Sequence, residues 1–194
     1  MEDLDLLFLR TGKQYIDSAI YLMKAICRSG NQTGAIADSL EEAEKIMKRK
    51  VALSDLTLFL PALFDYYHGL ELYIKGIIYM YNKTHTTTHE TTALVAELKK
   101  TQTNKELIQL FEEVYAIKEG IISKFKKENN ISNQIAFYES LRYPVDNKFQ
   151  QIYDYTSLRY NGIDGIKEMR KIIKKLNLIS SNVIEEYRNN EKSR

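Results

Sequence analysis

The chain has 194 residues, 44% of them hydrophobic and 28% charged, with a net charge of +2. That length can bury a core without staples, and the near-neutral balance excludes a general electrostatic pull toward nucleic acid or anionic membrane. Cys27 is the only cysteine, which excludes an internal disulfide and a thiolate zinc cluster, and two prolines and eight glycines punctuate too little for a many-stranded β fold.

The first segment, "MEDLDLLFLR", starts acidic and holds only a four-residue apolar run, "LLFL". A signal peptide needs a basic start and a longer apolar stretch, so the expected location is cytoplasmic. Over residues 6–27 apolar side chains recur at helical spacing through Leu9, Ile16, Ala19, Ile20, Met23 and Ile26, and Gly30 is suited to close the helix in a left-handed conformation. "AIADSLEEAEKIMKRK" predicts a second helix with Ile36, Leu40, Ala43, Ile46 and Met47 on one side. Its glutamates come early and its lysines late, as the helix dipole favours.

The third predicted helix, residues 54–81, is apolar almost all the way round, which marks a rod at the centre of a bundle or a membrane span. After Asp55 its longest run without an ionisable residue is residues 56–64, nine positions. A span needs about 20, so the membrane reading fails. Pro61 must kink this helix or sit in its first turn. His68, Glu71 and Lys75 fall within about 60° on the helical wheel and form a polar stripe on the apolar rod. Buried charges need partners, so the stripe faces another polar strip or a cleft.

"THTTTHE" follows, with His85 and His89 four apart. Two histidines at that spacing on a helix can share a zinc ion, and metalloproteases add a glutamate after the first. Here threonine follows His85, and three consecutive threonines are poor helix formers. The preferred reading is a helix start, with Thr87 or Thr88 as the cap and Thr87-x-x-Glu90 as a capping box, and with no metal and no cofactor. A helix over residues 88–100 comes next. "NKELIQLFEEVYAIKEGIISKF" then predicts one further helix with Leu107, Leu110, Val114 and Ile117 inward.

Residues 128–160 read as an irregular, aromatic-rich connection containing two "SLRY" copies. Phe137, Tyr138, Tyr143, Phe149, Tyr153, Tyr155 and Tyr160 alternate with Arg142, Lys148 and Arg159. Rings interleaved with cations can clamp single-stranded bases, whereas the structural alternative is a long connection anchored by its rings. The last helix carries Ile166, Met169, Ile173, Leu176, Ser180, Val183 and Tyr187 in alternating steps of three and four, a seam expected to pack within the chain, with a dimer contact as the alternative. Arg170, Lys171, Lys174 and Lys175 flank it as a solvated face.

The expected architecture is one all-α domain over residues 1–194, a bundle of four to six helices around a long central helix. "YYHGLELYIKGIIYM", "THETTALVAEL" and "LRYP" together resemble the HEPN superfamily, small helical domains of prokaryotic defence, toxin–antitoxin and nucleotidyltransferase-linked systems. In that resemblance Glu71 and Lys75 match an E-x-x-x-K on the central helix, His89 opens the following helix, and Arg142, Tyr143 and Pro144 match an R-Y-P element. It implies a homodimer and, in active members, metal-independent ribonuclease chemistry from an arginine followed four to six residues later by a histidine. No arginine of this chain precedes His68, His85 or His89 at that distance.

The expectation is therefore a non-catalytic binding module for RNA, a nucleotide or a cognate protein such as a nucleotidyltransferase or antitoxin-type partner. Arg142, Tyr143, Lys75, Arg159 and His89 are its candidate binding residues. Two other readings compete. One is a divergent ribonuclease in which Arg142 or Arg159 meets His68 or His89 in space, with Arg142, His68 and Glu71 as catalytic candidates; the other is a structural scaffold.

Overall fold

A computed structural model describes residues 3–84, 86–116 and 119–193. The expectations placed on His85 and Ile117 lie outside those residues. The described chain is all-α: α1 (Leu4–Ser29), α2 (Leu40–Val51), α3 (Asp55–Asn82), α4 (Thr91–Leu98), α5 (Lys105–Tyr115), α6 (Gly120–Glu128), α7 (Gln134–Ser140), a short 3-10 turn (Thr156–Leu158) and α8 (Gly162–Ser193). No helix among the described residues is long and apolar enough to cross a membrane.

The core is built on an antiparallel pair, α1 against α3. They approach closely because each presents glycine at the crossing. A Cβ on Gly69 would lie 2.8 Å from Ile16 Cγ1 and 2.9 Å from the Gly12 carbonyl oxygen, and one on Gly76 would lie 2.7 Å from Leu9 Cδ2. Sixteen residues of α3 are buried, including Phe59, Leu63, Tyr66, Leu70, Ile74 and Ile77, so it is the central rod that its composition predicts. The helix runs through Pro61, which lies in neither its first turn nor at a break. Gly30 closes α1 in the left-handed region at φ 77°, as expected.

At its other end α3 is tied down by a buried polar hub. Asp55 accepts hydrogen bonds from Asn31 Nδ2 (2.9 Å), the Tyr160 amide (3.0 Å) and the Asn161 amide (2.8 Å), while its own amide donates to Asn31 Oδ1 (2.8 Å). The end of α1, the start of α3 and the approach to α8 therefore meet on one carboxylate.

Three helix expectations are corrected. The second helix starts at Leu40 rather than in "AIAD", because Ser39 caps it by accepting from the Glu42 amide (3.2 Å). None of its residues is buried, and Ile36 and Leu40 are exposed. The single helix expected from "NKEL" to "SKF" is two, α5 and α6, with Gly120 at φ 81° where α6 begins. α4 begins at Thr91, and its cap is Glu90, whose carboxylate accepts from the Thr92 and Ala93 amides, not Thr87 or Thr88. Leu107 and Val114 of α5 are buried as expected, while Leu110 is only partly buried.

The segment expected to be irregular contains α7, an isolated antiparallel bridge between Val145 and Ile152, and the 3-10 turn. Phe137 and Tyr153 are buried anchors, whereas Tyr143, Phe149 and Tyr160 are exposed. Both "SLRY" copies close a helical turn with Ser and Leu inside, and the Tyr155 hydroxyl donates to the carbonyls of Ser140 (2.6 Å) and Tyr143 (3.0 Å).

The seam of α8 packs within the chain. Met169, Leu176 and Val183 are buried as predicted, but Ile172, Ile179 and Glu186 are buried as well, while Ile173 and Tyr187 are only partly covered. The physical reason is that α8 meets α1, α3 and α5, so it buries a wide arc rather than a two-helix stripe. Tyr73 and Ser180 share a 2.9 Å hydrogen bond, and the Tyr81 hydroxyl donates to Glu186 (2.6 Å).

Candidate functional site

The polar stripe of α3 divides into two neighbouring groups. In the first, Lys75 Nζ and His89 Nδ1 each lie 2.8 Å from the same oxygen of Glu71, Oε1. Glu71 and Lys75 are buried, whereas the His89 side chain is 69% exposed. Helical spacing of four places Lys75 on Glu71 within α3, and the cap of α4 brings His89 over them from outside. An ion pair in this rod needs further hydrogen bonds to offset the loss of water, and His89 supplies one.

The second group is centred on His68, one turn earlier on α3. Its Nδ1 lies 2.8 Å from the hydroxyl of Tyr138 on α7. The His68 ring stacks on Phe64 at 5.6 Å and meets Tyr15 of α1 edge-on at 4.5 Å. Burial pushes the His68 pKa below 6.5; Glu71 opposes that shift, and Lys75, Arg142 and His89 reinforce it. Burial, with Glu71 adding, pushes the Tyr138 phenol well up, so it stays protonated and able to donate. When Tyr138 donates to Nδ1, the neutral imidazole carries its proton on Nε2 and can donate outward but has no free lone pair.

Arg142 also lies against Tyr138. Its guanidinium carbon sits 5.7 Å from the Tyr138 ring centre and 5.2 Å from that of Tyr143. It is exposed and makes no ion pair among the described residues. Leu60, Pro61, Phe64, Leu141, Arg142 and Tyr143 line a groove of about 390 Å³. This is a partly apolar trough with a cation and an aromatic ring at its rim, able to stack a planar group and hold an anion beside it.

Of the residues expected to form the site, the structure brings together Glu71, Lys75 and His89, and beside them His68, Arg142 and Tyr143. Arg159 is not among them. It stacks on Tyr155 at 5.7 Å, and no described contact joins it to His68 or His89. Tyr138 is the residue that sequence reasoning passed over as one aromatic among many, although it touches both His68 and Arg142. Its position in a short helix ending in "SLRY" was the available signal. Among the described residues no group of three or more His, Cys, Asp or Glu side chains is placed to hold a metal ion. His89 commits Nδ1 to Glu71.

The model of the HEPN domain family covers residues 36–189, from the approach to α2 to the last turns of α8. No curated protein and no solved structure matches the chain. The matched region spans most of the sequence and includes Glu71, Lys75, His89 and Arg142. The chain belongs to the HEPN domain family.

Proposed function

We propose that this HEPN domain is a non-catalytic module that binds single-stranded RNA along the groove between α3 and the turn after α7. HEPN domains are associated with ribonuclease, defence and toxin–antitoxin systems. The observation that carries the reading is the placement of Arg142, an exposed guanidinium without an ion-pair partner among the described residues, held against Tyr138 and Tyr143 at the rim of a groove of about 390 Å³. Stacking fixes the cation without neutralising it, so it can meet a phosphate while Tyr143 offers a face to a base. With a net charge of +2, binding of this kind depends on stacking at one site rather than on a broad basic face.

The test is fluorescence anisotropy of a labelled mixed-sequence RNA at two salt concentrations, followed by a denaturing gel of the same samples. The expected result is binding that weakens with salt, intact RNA, and loss of affinity in Arg142→Ala. Absence of binding at low salt sinks the RNA reading and turns the search to a cognate protein partner.

A second reading is supported by the convergence of Arg142 and His68 on Tyr138. A metal-independent ribonuclease needs such a cation and a histidine near one phosphodiester. It also needs the tautomer in which His68 donates from Nδ1 to Tyr138, leaving Nε2 free as a base. Cleaved product that disappears in both Arg142→Ala and His68→Ala would establish it.

A further inference from the structure

We propose that Lys126 is a modification site, an amine that takes an acyl group from an acyl phosphate. Among the described residues the buried or half-covered lysines are Lys13, Lys50, Lys75, Lys126 and Lys175. Four of them have an acceptor: Asp17 for Lys13, the Gly34 carbonyl for Lys50, Glu71 for Lys75 and Glu113 for Lys175. Lys126 has neither an ion pair nor a hydrogen bond through Nζ among the described residues. Its Nζ lies instead 5.4 Å from the ring centre of Phe137, which is buried. A ring face attracts a cation weakly and does not replace the hydrogen bonds that burial takes from an ammonium.

Burial therefore pushes the Lys126 pKa below 10.5. More of this amine is neutral, and so nucleophilic, than in an open lysine. The amine also has a place to react. Lys126 lines a pocket of about 400 Å³ with Ser123, Lys127, Asn130, Ile131 and Ser132. The backbone there is fixed, because the Ile131 amide donates to the Lys126 carbonyl (2.8 Å) and Asn130 closes α6 at φ 52°.

The pocket selects the donor. Its other charged residue is Lys127, a cation, and no carboxylate lines it among the described residues. An anionic donor is attracted there, and an acyl phosphate brings the anion as its leaving group. The Lys126 lone pair attacks the acyl carbon and forms a C–N bond. The bond from that carbon to the phosphate oxygen breaks, inorganic phosphate leaves with the electron pair, and the extra proton on nitrogen passes to water. The product is a neutral amide, so the side chain no longer carries a charge into the covered site. None of this rests on RNA binding.

The test is brief incubation of the full chain with acetyl phosphate at neutral pH. The remaining amines are then blocked with deuterated acetic anhydride, and mass spectrometry reads acetylation at each lysine. The expected result is acetylation of Lys126 several-fold faster than of Lys124, Lys127 and Lys174, which are exposed. That advantage disappears when the protein is unfolded in urea. Lys127→Gln reduces the advantage with acetyl phosphate but keeps it with phenyl acetate, an uncharged acyl donor. A rate at Lys126 no higher than at the exposed lysines overturns the proposal, as does an advantage that persists in urea. An advantage that Lys127→Gln leaves unchanged, or reduces equally with both donors, overturns the choice of acyl phosphate.

Discussion

His68 and Tyr138 are 70 residues apart in the chain and 2.8 Å apart in space, hydroxyl to Nδ1. The contact fixes α7 against α3. Because partial burial lowers the His68 pKa below 6.5, the folded state holds this proton less tightly than the unfolded chain does. The unfolded state then binds more protons within the window between the folded value and 6.5, so stability rises with pH there. Acidification through 6.5 is expected to cost wild-type stability that His68→Asn does not lose. Urea unfolding across pH reads this difference, and the His68 ring titration followed by NMR should fall below 6.5.

Arg142 and Tyr143 separate the electrostatic and stacking contributions to RNA binding. Arg142→Ala should weaken binding of every RNA sequence similarly and reduce the slope of log affinity against log salt by about 1. Tyr143→Ala should leave the salt slope unchanged and cost about 1–3 kcal/mol, the usual worth of one base stacked on an aromatic ring. Salt titrations of the two variants, run side by side, would contradict the binding geometry if both changed the slope equally.

Glu71 and Lys75 form a buried pair whose partners cannot be removed singly. Glu71→Gln leaves the ammonium of Lys75 without its carboxylate in an apolar surround, an expected loss of about 3–5 kcal/mol. Glu71→Leu combined with Lys75→Met removes both charges and should be far milder than either single change. Denaturant unfolding of Glu71→Leu, Lys75→Met and the double variant gives the coupling, and near-additive losses would show that the pair is not an isolated buried unit.

What the sequence made legible follows from local physics. The apolar circumference of residues 55–82 revealed the central rod, and Gly30 revealed the end of α1. The break between α5 and α6 was hidden because Val114 and Ile121 stay seven apart and keep the helical phase across it. Only Gly120 marked the interruption. The start of α2 was present in the sequence as Ser39-x-x-Glu42, but the apolar pattern upstream of it competed. The pairing of Glu71 with Lys75 could be read from spacing on one helix, whereas Tyr138 against His68 and Asp55 against Asn31 join distant segments and leave no periodic trace.

The crossing of α1 and α3 gives a sharp packing test. Gly69→Ala would bring a methyl group to 2.8 Å from Ile16 Cγ1 and 2.9 Å from the Gly12 carbonyl oxygen, and the backbone oxygen cannot turn aside. The helices must part, at an expected cost of about 1–3 kcal/mol. Gly34→Ala is the control, since a Cβ there meets nothing within 4 Å. Its effect should stay within about 1 kcal/mol of the wild type, with stabilisation expected where the backbone tolerates alanine.

Asp55 offers a second large expected loss outside the groove. Its two oxygens accept from one side-chain amide and two backbone amides, and the residue is 2% exposed. Asp55→Ala leaves the Asn31 amide and the amides of Tyr160 and Asn161 without that acceptor. With each stranded buried donor costing about 1–3 kcal/mol, the total should be about 3 kcal/mol or more. Asp55→Asn keeps one accepting oxygen and should lose less. Hydrogen exchange adds a local readout: in Asp55→Ala the Tyr160 and Asn161 amides should exchange faster, relative to the core of α3, than in the wild type. Equal protection of both amides in the two proteins would mean that the carboxylate does not hold the approach to α8.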